Sequence, residues 1–360
     1  MRTALEIAFW ASVALIVWTQ LGYAAALATL DRVLTGRARG AGRRPSGGGL
    51  PSLSLIVAAH DEERVIAARV QNGLALDYPR ELLEVIVACD GCGDETAPRA
   101  AEAGADLVLE LPRGGKIRAQ DAAVERARGE IVAFSDANTL WDTDAARELV
   151  AAFEDPGVGY ACGRVTFVQA AGGREGGNQE GLYWRYELAL REHESRLSSV
   201  TAGNGAIYAT RRDTYIVVDP IMGHDLSLPF QMVKRGLRAV YVADARASEK
   251  MVPSLAGEFA RKRRMMSHTW PILLRGGMLS PRGYPPGYAL MIVSHRLLRY
   301  LSPGLHAIAL AANIALLALG AGPLYAVTLA LQLALLLAAA LAGVLRARPL
   351  LIARYYVLTT

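Results

Sequence analysis

The sequence predicts an α/β domain, a mostly parallel sheet with helices on both faces, carried by about three transmembrane helices. Three observations predict it. The apolar excess collects at the two ends of the chain. Between them, strand-length apolar runs alternate with helical periodicity. Directly after those runs come acidic or Gly-rich clusters.

The membrane elements come first. The chain has 360 residues, of which 52% are apolar, above the usual 45–50% or so. From Ala4 to Leu30 only Glu6 is charged, and a bilayer crossing takes roughly 20 apolar residues. That run is too long, and its flanks too unlike a cleavage site, for a signal peptide. Gly304 to Leu345 carries no charge, and Gly320, Gly322 and Pro323 divide it into two segments of spanning length. Arg32, Arg37, Arg39, Arg43 and Arg44 follow the first span, and Arg346, Arg348 and Arg354 follow the last. Basic residues stay on the cytoplasmic side. Both sets therefore place the middle of the chain in the cytoplasm and the N-terminus outside. The net charge of +5 resides mostly in arginines beside membrane segments rather than among exposed aromatics. Anionic lipids, and not nucleic acid, are the expected partners.

The alternating part begins after a Gly- and Arg-rich linker. Leu53–Ala59 (LSLIVAA) is a strand, and Glu62–Leu76 has helical spacing. Glu84–Cys89 (EVIVAC) is a strand, with a helix from about Glu95 to Gly104. A short strand at Asp106–Leu109, a helix at Ile117–Arg128 and a strand at Glu130–Phe134 complete the series. Continuous apolar strands alternating with helices imply a parallel sheet covered on both faces. Ligands of such sheets bind beyond the carboxyl ends of the strands. Those ends carry His60-Asp61-Glu62-Glu63, Asp90-Gly91-Cys92-Gly93-Asp94 and Ser135-Asp136-Ala137-Asn138, and Gly114-Gly115-Lys116 precedes a helix. Asp61 and Asp94 also suit helix N-caps. Dinucleotide and P-loop wording is absent, because no G-x-G-x-x-G follows a strand and Ile117 stands where a P-loop needs Ser or Thr.

The next hundred residues are less regular. Gly181–Leu197 reads as a helix, Thr201–Tyr208 (TAGNGAIY) as a turn entering a strand, and Arg238–Ala243 as a last short strand. The three cysteines are Cys89, Cys92 and Cys162. One C-x-x-C without a second pair or a histidine cluster nearby is no structural zinc site, which takes four ligands. Free thiols are expected.

The segments LSLIVAAHDEE, LDYPRELLEVIVACDGCGDET, GGKIRAQDAAVERARGEIVAFSDAN, GLYWRYELALRE, TAGNGAIYATRR and GHDLSLP occur in this order. In that order the chain resembles the membrane-bound bacterial branch of the inverting family 2 glycosyltransferases of GT-A fold, from about Leu53 to Leu345. The resemblance implies transfer of a sugar, hexosyl or N-acetylhexosaminyl, from a nucleotide-diphosphate donor such as a UDP-sugar to a membrane-associated glycan or lipid. By position, Ala59, His60 and Glu62 would line the nucleotide site, Asp90 would face the base and Lys116 would lie near the diphosphate. Asp136 and Asn138 hold the D-x-D place, which binds Mg²⁺ or Mn²⁺ on the donor; Asn138 departs from it, offering an amide oxygen without charge. Asp225 matches the general base, with His224 where a second acid is usual. Arg261 and Arg264 stand where processive synthases carry Q-x-x-R-W; only Arg264 matches and Met265 replaces Trp. That pair would meet either lipid headgroups or a diphosphate. Trp184, in Tyr183–Glu187, would face the acceptor or fill an ordinary helix core.

The expected division is 1–31 transmembrane, 32–50 linker, 51–254 GT-A domain, 255–302 amphipathic interfacial helices, 303–345 two transmembrane helices and 346–360 a short or incomplete tail. The expected site is the bacterial plasma membrane, with the catalytic domain cytoplasmic. Two other readings remain: transfer to a polyprenyl phosphate, and a non-catalytic nucleotide-sugar-binding membrane protein.

Overall fold

Among the described residues eight strands form one sheet, in the order β3 (Leu107–Leu111), β2 (Leu83–Asp90), β1 (Leu53–Ala59), β4 (Ile131–Asp136), β7 (Tyr208–Arg211), β6 (Val158–Val168), β8 (Arg238–Lys250) and β5 (Thr139–Trp141). The computed structural model describes residues 1–35, 49–168, 177–250, 269–345 and 347–359. The chain divides into two units: Met1–Arg32, Glu175–Glu187 and Leu290–Thr360 make a helical one, and Val33–Arg174 with Leu188–Ala289 make an α/β one.

In the α/β unit, β1 (Leu53–Ala59), β2 (Leu83–Asp90), β3 (Leu107–Leu111) and β4 (Ile131–Asp136) are mutually parallel. Helices α3 (Ile66–Leu74), α4 (Thr96–Glu102) and α5 (Lys116–Arg126) connect them. Every position of β2 is buried, as expected of a strand covered on both faces. Helix α3 buries Ile66, Arg69, Val70 and Gly73, one face at helical spacing. Its Gly73 lies so near β1 that a Cβ would meet Leu55 Cδ2 at 3.1 Å. Helix α4 stops at Gly104, whose φ of +93° closes the turn, with the Ala105 N–H returning to the Ala100 carbonyl at 3.2 Å. Strand order 3-2-1-4 reverses direction between β1 and β4. That reversal opens a crevice at their carboxyl ends.

The second half of the sheet differs from the expected short strands. β6 (Val158–Val168) and β8 (Arg238–Lys250) are long and parallel to each other. β7 (Tyr208–Arg211) runs antiparallel between β4 and β6, and β5 (Thr139–Trp141) antiparallel to β8. The sheet is therefore mixed, parallel through its first four strands. Helix α6 (Ala145–Ala151) lies between β5 and β6 in the chain, and α8 (His224–Lys234) between β7 and β8.

Three helical runs in the described residues are long and apolar enough to cross a membrane: Arg2–Leu34, Pro286–Ala318 and Pro323–Leu341. The first joins α1 (Arg2–Val17) to α2 (Tyr23–Thr35) through a π turn. The second joins α10 (Pro286–Met291) to α11 (Leu298–Ala318) in the same way, following a short helical stretch α9 at residues 269–274. This helical run begins at Pro286, inside the segment expected to be interfacial. The third is α12 (Pro323–Leu341), whose 19 residues span roughly 28 Å at 1.5 Å per residue, close to the hydrocarbon thickness of about 30 Å. Helix α13 (Arg348–Thr359) follows. Phe9, Ala309, Ala312, Leu316 and Tyr325 pack together within this unit. Trp10 Nε1 donates to Tyr325 Oη at 3.2 Å, and the Asn313 amide lies 3.0 Å from the Thr328 hydroxyl and 3.1 Å from the Gln332 amide. Small residues and a few polar pairs are what hold helices together where solvent supplies no hydrophobic drive. Glu187, from the first half of α7 (Gly177–Leu197), forms a buried ion pair with Arg299.

Candidate functional site

The crevice is defined by register. Ala58 of β1 lies opposite Asp136 of β4, so the loop after Ala59 and the loop after Asp136 leave the sheet side by side. β7 pairs Tyr208 with Phe134, which brings the Gly-rich turn before β7 to the same edge. Helix α5 starts at Lys116, directly after Gly115 at φ +94°.

Lys116 is the centre of this edge. Its ammonium is bound by the Asp136 carboxylate and lies 3.4 Å from the Gly205 carbonyl. Desolvation opposes the charge, but Asp136 outweighs it, with Asp225 and Glu249 adding to the effect; the pKa of Lys116 is raised. Glu62 also feels Asp136: partial burial first, then Asp136 and Asp94, raise its carboxyl pKa. One lysine thus faces several carboxylates, and the set carries more negative than positive charge. Asn138 is exposed, with Nδ2 donating to Glu249 Oε1 at 3.1 Å. Glu249 arrives from β8, where it stands opposite Thr139.

Asp90 is buried at the end of β2. Its carboxylate accepts the Gly114 N–H at 2.6 Å and the Gly115 N–H at 2.9 Å, and Arg113 pairs with it at 3.0 Å. Asp90 therefore shapes the Gly-rich turn that delivers Lys116. Gly91, at φ +62°, is obligatory there, because a Cβ would meet Arg113 N at 2.8 Å. His60 reaches the Asp90 carbonyl with Nδ1 at 2.8 Å. Ala59 is buried, and its carbonyl accepts the Cys92 thiol at 3.6 Å. Asp94 ties the two loops, accepting the Glu63 N–H at 3.1 Å and the Thr96 N–H at 3.0 Å; the N-cap of α4 is Glu95, one residue beyond the expected Asp94. The cysteines are free, as expected.

Asp225 is half-buried in the first turn of α8. Pro229, four residues on, has no N–H, so the Asp225 carbonyl lacks its helical partner. The Gly203 N–H takes that place at 2.7 Å. A proline inside the helix thereby fastens the first turn of α8 to the Gly-rich turn that also meets Lys116.

His224 is buried packing with a defined tautomer. Its Nδ1 lies 2.9 Å from Tyr208 Oη and its Nε2 lies 3.2 Å from Tyr215 Oη. Tyr215 gives its proton to Asp121 Oδ1 at 2.6 Å. Tyr215 can therefore only accept from Nε2–H, which leaves Nδ1 to accept from Tyr208. Burial, with a smaller contribution from Lys116, pushes the His224 pKa from 6.5 down to about 3. The unfolded chain consequently binds the extra proton first. Stability is full above pH 6.5 and falls as pH drops toward about 3, by about 1.4 kcal/mol per unit. In acid-denaturation series the advantage of wild type over His224→Asn should shrink with that slope; a constant difference would contradict a neutral buried imidazole.

Arg261 and Arg264 lie outside the described residues. Trp184 stands on α7 in the helical unit, partly buried. Residues absent from the sequence reading are Arg113, Gly205 and above all Glu249. The small–polar alternation Ala245, Arg246, Ala247 was the available sign that β8 continues; Ala245 and Ala247 are buried and Arg246 exposed.

A parallel-to-mixed sheet with this crevice and an Asp–Lys pair at the strand reversal defines a GT-A type fold. It agrees with a mannosyltransferase, PcManGT of Pyrobaculum calidifontis, solved with GDP-Man and Mn²⁺: TM-score 0.70 at 24% identity, covering 99% of this chain and 97% of that one. A sequence model described as glycosyltransferase like family 2 matches residues 51–267. The chain belongs to that family. It is similar to an N-acetylglucosaminyltransferase of Rhizobium sp. (strain N33), 26% identical over 59% of this chain and 51% of the relative. It is also similar to a beta-monoglucosyldiacylglycerol synthase of Trichormus variabilis, 34% identical over 31% of this chain and 25% of the relative. The chain spans about half the length of the N-acetylglucosaminyltransferases it matches, 51% and 46% of two of them.

Proposed function

We propose that the protein transfers a sugar, with inversion, from a UDP-sugar to a lipid or glycan acceptor held at the membrane. The observation that carries this reading is the convergence of Asp136, Lys116, Glu249 and Asp225 on the strand-reversal crevice of a family 2 domain. Ala59, His60, Glu62 and Asp90 border the nucleotide in this reading. Asp225 accepts the proton of the attacking hydroxyl, a step worth roughly 10²–10⁴-fold in rate. Lys116 places positive charge beside the leaving diphosphate. Arg261, Arg264 and Trp184 are assigned to the diphosphate or acceptor by resemblance alone. The flanking arginines support a cytoplasmic domain beside anionic lipids in this reading.

The acidic edge suits a divalent cation. Lys116 already occupies Asp136 as a cation would, and Asn138 with Glu249 adds oxygen donors of the kind Mg²⁺ and Mn²⁺ take. When bound, the ion neutralises charge on the donor diphosphate. Glu249 supplies the carboxylate missing at Asn138. Glu249→Gln should therefore weaken Mn²⁺ affinity about tenfold in a nucleotide-saturated titration followed by electron paramagnetic resonance; unchanged affinity would remove Glu249 from the cation site.

The test of the function is a thermal-shift screen of nucleotide sugars with the detergent-solubilised chain, with and without Mn²⁺. A ligand at about 100 times its Kd stabilises by about 2.7 kcal/mol, so one class of nucleotide should stand out, and only with the metal. A flat response to every nucleotide would sink the reading. Chromatography of the product on thin layers then separates a glycosylated lipid or polyprenyl phosphate from a glycan.

A further inference from the structure

The C-x-x-C at Cys89 and Cys92 has no metal partners in sequence, yet the fold brings some to it. β1 and β2 are adjacent and parallel, with Ala59 opposite Cys89. The loops that follow them therefore run side by side. His60 and Asp61 on the first loop and Cys92 on the second each offer one ligand atom, all within 4.8 Å of one another.

The local hydrogen bonds prepare these atoms. His60 Nδ1 is 2.8 Å from the Asp90 carbonyl, so it carries the proton and leaves the Nε2 lone pair free. A backbone carbonyl on the far ring nitrogen is the usual way a metal-binding histidine is oriented. That Nε2 lies 3.5 Å from Asp61 Oδ2. Two ligands of a tetrahedral zinc, bound at roughly 2.0–2.1 Å, stand about that far apart. The other Asp61 oxygen accepts the Gly93 N–H at 2.8 Å, which fixes the carboxylate from the second loop. The His60 and Asp61 side chains are 39% and 50% exposed, so an ion and a fourth ligand can enter. Cys89, by contrast, is buried within β2 and stands outside the cluster.

We propose that His60, Asp61 and Cys92 form a three-ligand Zn²⁺ site with an open fourth position. A nitrogen, oxygen and sulfur set selects zinc over Mg²⁺ or Mn²⁺, which the all-oxygen edge at Asp136 suits. Cys92 gives up its proton on binding, so affinity falls in acid. Occupation also blocks the nucleotide site, because His60 borders it; this consequence rests on the function proposed above, whereas zinc binding does not.

The test uses the full chain in detergent, stripped of metal and titrated with Co²⁺ as an optical probe, then with Zn²⁺. One equivalent of Co²⁺ should give a thiolate charge-transfer band and tetrahedral visible bands, both erased by Zn²⁺. Cys92→Ser should lose the charge-transfer band, and His60→Ala should weaken binding by about 100-fold. Cys89→Ala should keep the full spectrum. A charge-transfer band that survives Cys92→Ser, requires Cys89 or ignores His60→Ala would overturn the site. UDP titration of the Zn²⁺-loaded chain reads the second claim: at least tenfold weaker binding supports blockade, and equal affinity with zinc still bound overturns it.

Discussion

Asp225→Asn is expected to lower the transfer rate about 10³-fold or more while donor binding stays within about twofold, the size of effect that loss of a positioned base produces. The change keeps the shape of the side chain while removing its capacity to accept a proton, together with its charge, which is one of several facing Lys116. The main-chain role of Asp225 is untouched, since its carbonyl takes the Gly203 N–H irrespective of the side chain. A folded, donor-binding, inactive protein is therefore the outcome, checked by calorimetric titration of UDP beside a single-turnover rate. Turnover above about a tenth of wild type would move the base elsewhere.

Asp136→Ala should cost about 10²–10³-fold in rate, as removal of one electrostatic stabiliser does, and should abolish the metal dependence of nucleotide binding. Stability cannot account for such a loss. The Lys116–Asp136 pair is 40% and 33% exposed, and ion pairs that face solvent contribute about 0–1 kcal/mol. Melting of the variant should stay near that of wild type while Mn²⁺ no longer tightens UDP. Retained metal-dependent binding would place the cation on other oxygens.

Much of this edge is visible in the sequence, for a physical reason. Strands covered on both faces are continuous apolar runs, and the polar residues after them stand at the carboxyl edge whatever the details of packing. Leu53–Ala59, Leu83–Asp90 and Ile131–Asp136 follow that rule, and Asp136 and Lys116 come together as their positions suggest. β6 breaks it. Gly159 and Gly163 interrupt its apolar pattern because other groups approach there: a Cβ on Gly163 would meet the Ala245 carbonyl at 2.3 Å, and one on Gly159 would meet Leu237 at 2.7 Å. Those contacts come from β8 and the turn before it, and no local pattern announces them. The place of Glu249 depends on how far β8 extends beside β5, for which the alternation Ala245, Arg246, Ala247 is the one local sign.

His224 illustrates a different limit. Its neighbour Asp225 invites a reading in which the imidazole tunes the base. The ring instead belongs to a hydrogen-bonded chain with Tyr208 of β7, Tyr215 of the loop after it and Asp121 of α5. In the helical unit, the charge-free run begins at Gly304, yet the helix that contains it begins earlier. Pro303 lies inside α11, and Glu187 meets Arg299 within the unit, so the helix continues back to Pro286.

Inverting sugar transfer at this crevice turns an α-linked donor into a β-linked product. It is tested most directly by incubating the solubilised chain with an α-linked UDP-sugar panel, Mn²⁺ and extracted bacterial lipids, and reading the anomeric configuration of any product by nuclear magnetic resonance. The expected result is a β-linked, membrane-associated product that disappears with Asp225→Asn. An α-linked product, or an undiminished β-linked product from the Asp225→Asn chain, would contradict it.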